Sequence, residues 1–267
     1  MKTIRRHLAA AALLATALAP AAQAQQADSS DDFGLWTSVE VQKKLNKQWS
    51  LGAEVEYRLQ DGWSEPERFT AGVAASYRPV GWLKFDAGYK ILRTYTLDEY
   101  KYKQRGSILI LNKWTPAYWG TKHRVYASLS GNWKVTRRLT LALRERWQYT
   151  YRPEQTVVRY DVDGDDLEDL DESNLDPKVK SGKAKHVLRS RVLAEYRLPK
   201  KTGLTPYVSA EAYTARELEK MRYTAGVEWK ANKHNAFDLG YRYQALHGDD
   251  DADRNTHALL VGYKFRF

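Results

Sequence analysis

The segment Trp49-Ser50-Leu51-Gly52-Ala53-Glu54-Val55-Glu56-Tyr57-Arg58-Leu59-Gln60 decides the fold. Its odd positions are apolar and its even positions small, polar or charged. Successive side chains of a strand point to opposite faces, so this is one strand with an oily face and a wet face. Strands in soluble sandwiches average about five or six residues. A tilted strand that crosses a membrane needs about nine to eleven.

Outward from this segment the same alternation returns. It occupies residues 33–45, 69–77, 83–91, 125–133, 139–151, 188–198, 204–214, 221–229, 237–245 and 259–267, which makes eleven segments in all. Trp and Tyr fall on the apolar parity near segment ends, where an interfacial girdle would place them. Glu145 interrupts the apolar row of 139–151. It implies either a snorkelling carboxylate or a bulge that shifts parity. Bacterial barrels close with an even number of strands as a rule. Residues 105–114 offer a twelfth, although Ile108-Leu109-Ile110-Leu111 does not alternate. The fold expected is an all-β, antiparallel transmembrane β-barrel of 10–12 strands, with twelve favoured.

Composition agrees with such a wall. There are 18 Tyr and 9 Trp but only 2 Met and 6 Phe in 267 residues, and mean hydropathy is −0.67. A barrel stays polar on average because alternate residues face lipid and a wet interior. The absence of cysteine excludes a disulfide scaffold and thiolate chemistry. The formal charge of +10 raises the question of nucleic acid. Lys and Arg are spread through the alternating segments and form no block or helix stripe, so nucleic acid is not an expected partner.

The first 24 residues read as a secretory signal peptide. Lys2, Arg5 and Arg6 precede the apolar stretch 8–19, and Ala22-Gln23-Ala24 supplies a small-x-small cleavage site. A short segment, 25–32, leads into the barrel at 33–267. Tight connections at 45–48, 79–81, 135–137, 199–203 and 231–235 alternate with longer polar ones at 61–67, 96–120, 153–184 and 248–255. Outer-membrane barrels have short periplasmic turns and longer external loops. The last strand alternates through Leu259, Val261, Tyr263, Phe265 and Phe267 to a terminal aromatic. Tyr263, Phe265 and Phe267 resemble the C-terminal signal read by the outer-membrane barrel assembly machinery. That machinery and outer-membrane lipids are the expected partners, and the Gram-negative outer membrane the expected location.

Four stretches carry a family resemblance. They are Asp32-Phe33-Gly34-Leu35-Trp36, Lys44-Leu45-Asn46-Lys47-Gln48-Trp49-Ser50-Leu51, Tyr118-Trp119-Gly120-Thr121-Lys122-His123-Arg124 and Leu143-Arg144-Glu145-Arg146-Trp147-Gln148-Tyr149. They resemble the domain-of-unknown-function 2490 family of small outer-membrane barrels. The resemblance implies a fold and a location and transfers no chemistry.

The polar parity carries the candidate functional residues. Expected to line the lumen are Glu54, Glu56, Arg58, Arg144, Arg146, Arg189, Arg191, Glu195, Arg197, Arg242, Lys264 and Arg266. A barrel of this size has a narrow interior. Mixed charges could fill it as an ion-pair network, or surplus Arg could favour anions in a narrow porin-like channel. The acidic loop places Asp161, Asp163, Asp165, Asp169 and Glu172 at positions like those of a calcium loop. Asp166 stands where that motif requires Gly. A loosely bound divalent cation there, or binding of surface glycans by the long loops, is the second reading, and no other cofactor is implied. A barrel lipid hydrolase is the third. Ser190 lies four residues from His186 on one parity, but no motif supplies the acid of a triad. No catalytic residue is assigned.

Overall fold

The computed structural model describes residues 31–162, 167, 170, 172–199, 202–247 and 255–267. The expected signal peptide and three acidic-loop positions, Asp163, Asp165 and Asp169, lie outside them. The chain runs β1 (Asp32–Lys44), β2 (Trp49–Gln60), β3 (Glu65–Val80) and β4 (Leu83–Thr96), then β5 (Glu99–Arg105) and β6 (Ile108–Thr115). It continues through β7 (Tyr118–Lys134), β8 (Leu139–Arg152), β9 (Gln155–Val157), β10 (Tyr160–Asp161) and β11 (Lys178–Lys180). It closes with β12 (Lys183–Tyr196), β13 (Leu204–Thr214), β14 (Leu218–Lys230), β15 (Asn235–Leu246) and β16 (Thr256–Arg266). Eleven of these form one closed barrel, in the order β1-β16-β15-β14-β13-β12-β8-β7-β4-β3-β2.

The barrel strands are the eleven alternating segments, so the favoured count of twelve is corrected to eleven. The stretch proposed as a twelfth strand leaves the wall. Its Ile108–Thr115 strand pairs with β5 and β10 in a small separate sheet. A run such as Ile108-Leu109-Ile110-Leu111 has no parity, so it cannot offer one face to lipid and one to water. An odd count makes the first and last strands run the same way. The seam is therefore parallel, from Asp32 against Thr256 to Gln42 against Arg266. Parallel pairing is slightly weaker per residue. Here side chains reinforce it: Phe33 stacks on His257 at 4.9 Å, and His257 Nε2 lies 3.0 Å from the Asp31 carboxylate.

The tight turns at 45–48, 135–138 and 231–235 lie at one end and are set by short polar side chains. Asn46 Oδ1 accepts from the backbone N–H of Gln48 and of Trp49, both at 2.8 Å. Asn232 does the same for His234 and Asn235, and Thr136 Oγ1 for Arg138 and Leu139. Such bonds bend the chain locally and start the next strand in register. Phe267 ends at this turn end, whereas Asp32 begins at the opposite, loop end.

Outside, the wall is aliphatic at mid-height, with Val39, Val73, Val192, Leu239 and Val261 exposed. Trp49, Trp133, Trp229 and Phe237 stand out near the turns, and Phe33, Tyr57, Phe69 and Tyr151 near the loops. This is an apolar belt between two aromatic girdles, the outer surface of a transmembrane barrel. Glu145 faces outward within that belt. Its register with β7 and β12 runs through without a shift, so no bulge is involved. The Ser190 hydroxyl, also outward, donates to Glu145 Oε2 at 2.6 Å.

Candidate functional site

Parity puts the polar positions of all eleven strands inside, where they surround a cavity of about 830 Å³. Seventeen Lys and Arg side chains line it against six carboxylates. They are not evenly placed. On β1–β4 four cations stand among four carboxylates, Glu40, Glu54, Glu56 and Asp86. The other seven strands contribute thirteen cations and two carboxylates, Glu211 and Glu219.

The densest part of the cationic wall is a two-row array. One row runs Arg144, Arg191, Glu211, Arg222 across β8, β12, β13 and β14. The next, two residues along each strand, runs Arg146, Arg189, Tyr213, Lys220. Glu211 is the array's one carboxylate. It accepts from Arg144 Nη2 at 2.6 Å, from Arg189 Nη2 at 2.8 Å and from the Tyr213 hydroxyl at 3.0 Å. Arg222 donates through Nε to Gln244 at 2.7 Å and also to the Tyr213 hydroxyl. Among the described residues, Arg146 and Arg191 have no carboxylate within salt-bridge distance, and the Nε groups of Arg144, Arg146, Arg189 and Arg191 are buried without an acceptor. Like charges directly opposite on neighbouring strands destabilise a sheet, so this array holds repulsion that one Glu does not cancel.

Aromatic rings take up part of the load. Trp36, only 4% exposed, points inward from β1 and meets the guanidiniums of Arg58, Arg242 and Arg222 at 3.6, 5.0 and 5.1 Å. Tyr213 lies within 5 Å of Arg189, Arg222 and Lys220. Arg146 stands 4.3 Å from the Tyr126 ring. Cations within about 6 Å of a ring face are attracted by its quadrupole. Tyr126 can lie flat because it covers Gly88, where a Cβ would come within 2.6 Å of the ring. Tyr207 covers Gly226 in the same way and donates to Asp238 at 2.9 Å.

Of the expected lumen residues, Glu54, Glu56, Arg58, Arg144, Arg146, Arg189, Arg191, Arg242 and Lys264 line the cavity. Glu195, Arg197 and Arg266 stand beyond it toward the turns, where Lys264 and Arg266 share Glu228 at 2.9 and 3.7 Å. Trp36, Lys122, Tyr126, Tyr213 and Lys220 were missed as lumen residues. Trp36 shares its parity with Glu40, which is the signal in the sequence for its inward place. Tyr263, Phe265 and Phe267 face outward, with Phe265 and Phe267 rings 5.6 Å apart.

Of the acidic-loop candidates only Asp161 and Glu172 lie among the described residues. Asp161 sits 3.8 Å from Lys113, and Glu172 opens a 3-10 turn whose Asn174 donates to the Asp161 carbonyl oxygen at 3.2 Å. No cluster of three or more metal-ligating side chains occurs among the described residues. His186 packs on Trp147 and Tyr149, while Ser190 bonds Glu145. Four residues along a strand are about 13 Å, so Ser190 and His186 are not placed as nucleophile and base.

Comparison with known proteins supplies the fold. The profile of a family described as "Protein of unknown function (DUF2490)" matches residues 33–256. No curated protein matches the chain. Among solved structures, the β domain of the Bordetella autotransporter BrkA is similar over 82% of this chain and 83% of its own, with a TM-score of 0.52 and 12% identity. The NanC porin is similar over 88% and 99%, with a TM-score of 0.47 and 12% identity.

Proposed function

We infer that this chain, which belongs to the DUF2490 family of proteins of unknown function, is a Gram-negative outer-membrane barrel giving small anionic solutes a narrow passive path. The apolar outer belt between aromatic girdles supports the membrane setting. The charge of the lumen supports the preference for anions. Of the described residues that line the cavity, seven adjoining strands supply thirteen cations and two carboxylates, and charged linings set ion selectivity in pores. A low-dielectric wall focuses that field and raises the local anion concentration.

Planar-bilayer recording on the purified protein is the test. Single-channel steps are expected, with a reversal potential in a salt gradient that favours the anion. Replacing Arg144, Arg146, Arg189 and Arg191 with Gln should move that potential toward the cation side. Failure to see any conductance steps would remove the channel, and an unchanged potential in the variant would remove these residues from selectivity.

A further inference from the structure

We propose that the β8–β12 part of the array is a binding station for a tetrahedral oxyanion of at least two charges, phosphate or a small phosphate ester. The proposal deepens the reading of the lumen as a solute path, on which it rests for the ligand's access.

Arg144 faces Arg191 and Arg146 faces Arg189 on neighbouring strands, which brings four guanidiniums into two adjacent rungs. Glu211 takes one Nη2 from each of Arg144 and Arg189 and makes no salt bridge with Arg146 or Arg191. All four Nε groups remain buried without acceptors. A buried charge needs a counter-charge and a buried donor needs an acceptor. Two guanidiniums without carboxylates call for two negative charges, and four free donors call for several oxygens at once. Chloride brings one charge and no fork geometry. A tetrahedral dianion brings both, because planar guanidiniums pair with two oxygens of the same anion. Ser128 and Ser130, on β7 beside Arg146 and Arg144, extend the rungs with hydroxyls. The cavity of about 830 Å³ holds such an ion with room for an attached small organic group.

The experiment uses the purified full barrel in detergent, with inorganic phosphate as the probe and chloride at matched ionic strength as the control. Phosphate should raise the unfolding temperature and reduce the chloride current through single channels. In Arg146→Gln/Arg191→Gln both effects should weaken at least roughly tenfold in apparent affinity, the size of one lost charged hydrogen bond. The same variant should unfold at a higher temperature than the parent without phosphate, since it removes two uncompensated cations. Lys47→Gln, in a tight turn, should bind phosphate as the parent does. Equal effects of phosphate and chloride overturn the station, as does phosphate stabilisation that survives in the double variant. Phosphate stabilisation without any conductance leaves the station standing and removes the channel. Conductance without a phosphate effect does the reverse.

Discussion

The β1–β4 wall and the β8–β14 wall have the same backbone and the same parity rule, yet they treat charge in opposite ways. On the first, carboxylates meet cations across the strands or two residues along the same strand. Lys90 Nζ reaches Glu54 at 2.6 Å, Lys84 reaches Asp86 at 2.6 Å and Arg58 Nε reaches Glu56 at 2.8 Å. The Glu54–Lys90 pair spans a whole strand. It does so because Gly72 stands between them in register and leaves the Lys90 stem room to lie across β3. On the second wall one carboxylate serves an array of six cations. A balanced wall is what stability alone would select, since buried charges are costly without partners. On the proposed function, an unbalanced wall keeps its repulsion because an anionic solute offsets it.

The sharpest way to break this contrast is to remove the carboxylate from each wall. Glu211→Gln should cost about 3–5 kcal/mol, because it strands two buried guanidiniums at once. Glu54→Gln should cost about 1 kcal/mol or less, its carboxylate being partly exposed and bonded to one cation. Thermal unfolding, or the heat-induced mobility shift on gels, compares them, and equal losses would mean the walls do not differ in kind. Next in size is Gly72→Ala. The new Cβ would stand 2.6 Å from Lys90 Cγ and 2.9 Å from the Tyr89 carbonyl oxygen. Overpacking of this sort costs about 1–3 kcal/mol. The Glu54–Lys90 pair should open with it, seen as loss of additivity with Glu54→Gln in a double-mutant cycle.

The smallest effect lies at the loop end, where ion pairs stand in water. Asp176 accepts from Lys113 at 2.5 Å and from Arg159 at 2.6 Å. The Lys113 hydrogen bond first, then that from Arg159, holds its carboxyl below the usual carboxylate range. A depressed folded pKa means the contribution is whole above the unfolded value of roughly 3.9 and is lost as pH falls through the folded one. Relative to the intrinsic exchange rate at each pH, protection of amides in β6 and β10 should therefore fall in acid while the barrel strands stay protected. In Asp176→Asn that loss of protection should disappear. An identical acid response in parent and variant would place the sensitivity elsewhere.

Much of the barrel was legible because parity is a local property. Glu54, Arg58, Arg144 and Arg191 could be assigned to the lumen from their neighbours in sequence alone, and all eleven barrel strands showed their alternation. The expectation of twelve came from a rule about closure, which no single segment encodes. Ile108–Leu111 carried the contrary signal, a run with no alternation, and the structure followed the run. Tyr126, Tyr207 and Tyr213 were harder to see. Parity turns them inward, but how Tyr126 and Tyr207 lie there depends on Gly88 and Gly226 on other strands, and what Tyr213 meets depends on which guanidiniums stand opposite.

By itself, then, the order of residues determined which side of each strand is wet, because a pleated strand turns alternate side chains to opposite faces whatever it pairs with. Only the tertiary structure decided the odd closure with its parallel seam, and the register that sets Arg144 against Arg191 and leaves Glu211 between Arg191 and Arg222. Register sums hydrogen bonds over whole strands around a closed ring. A shift of any one strand would redistribute the charges, and no local stretch of sequence contains that sum.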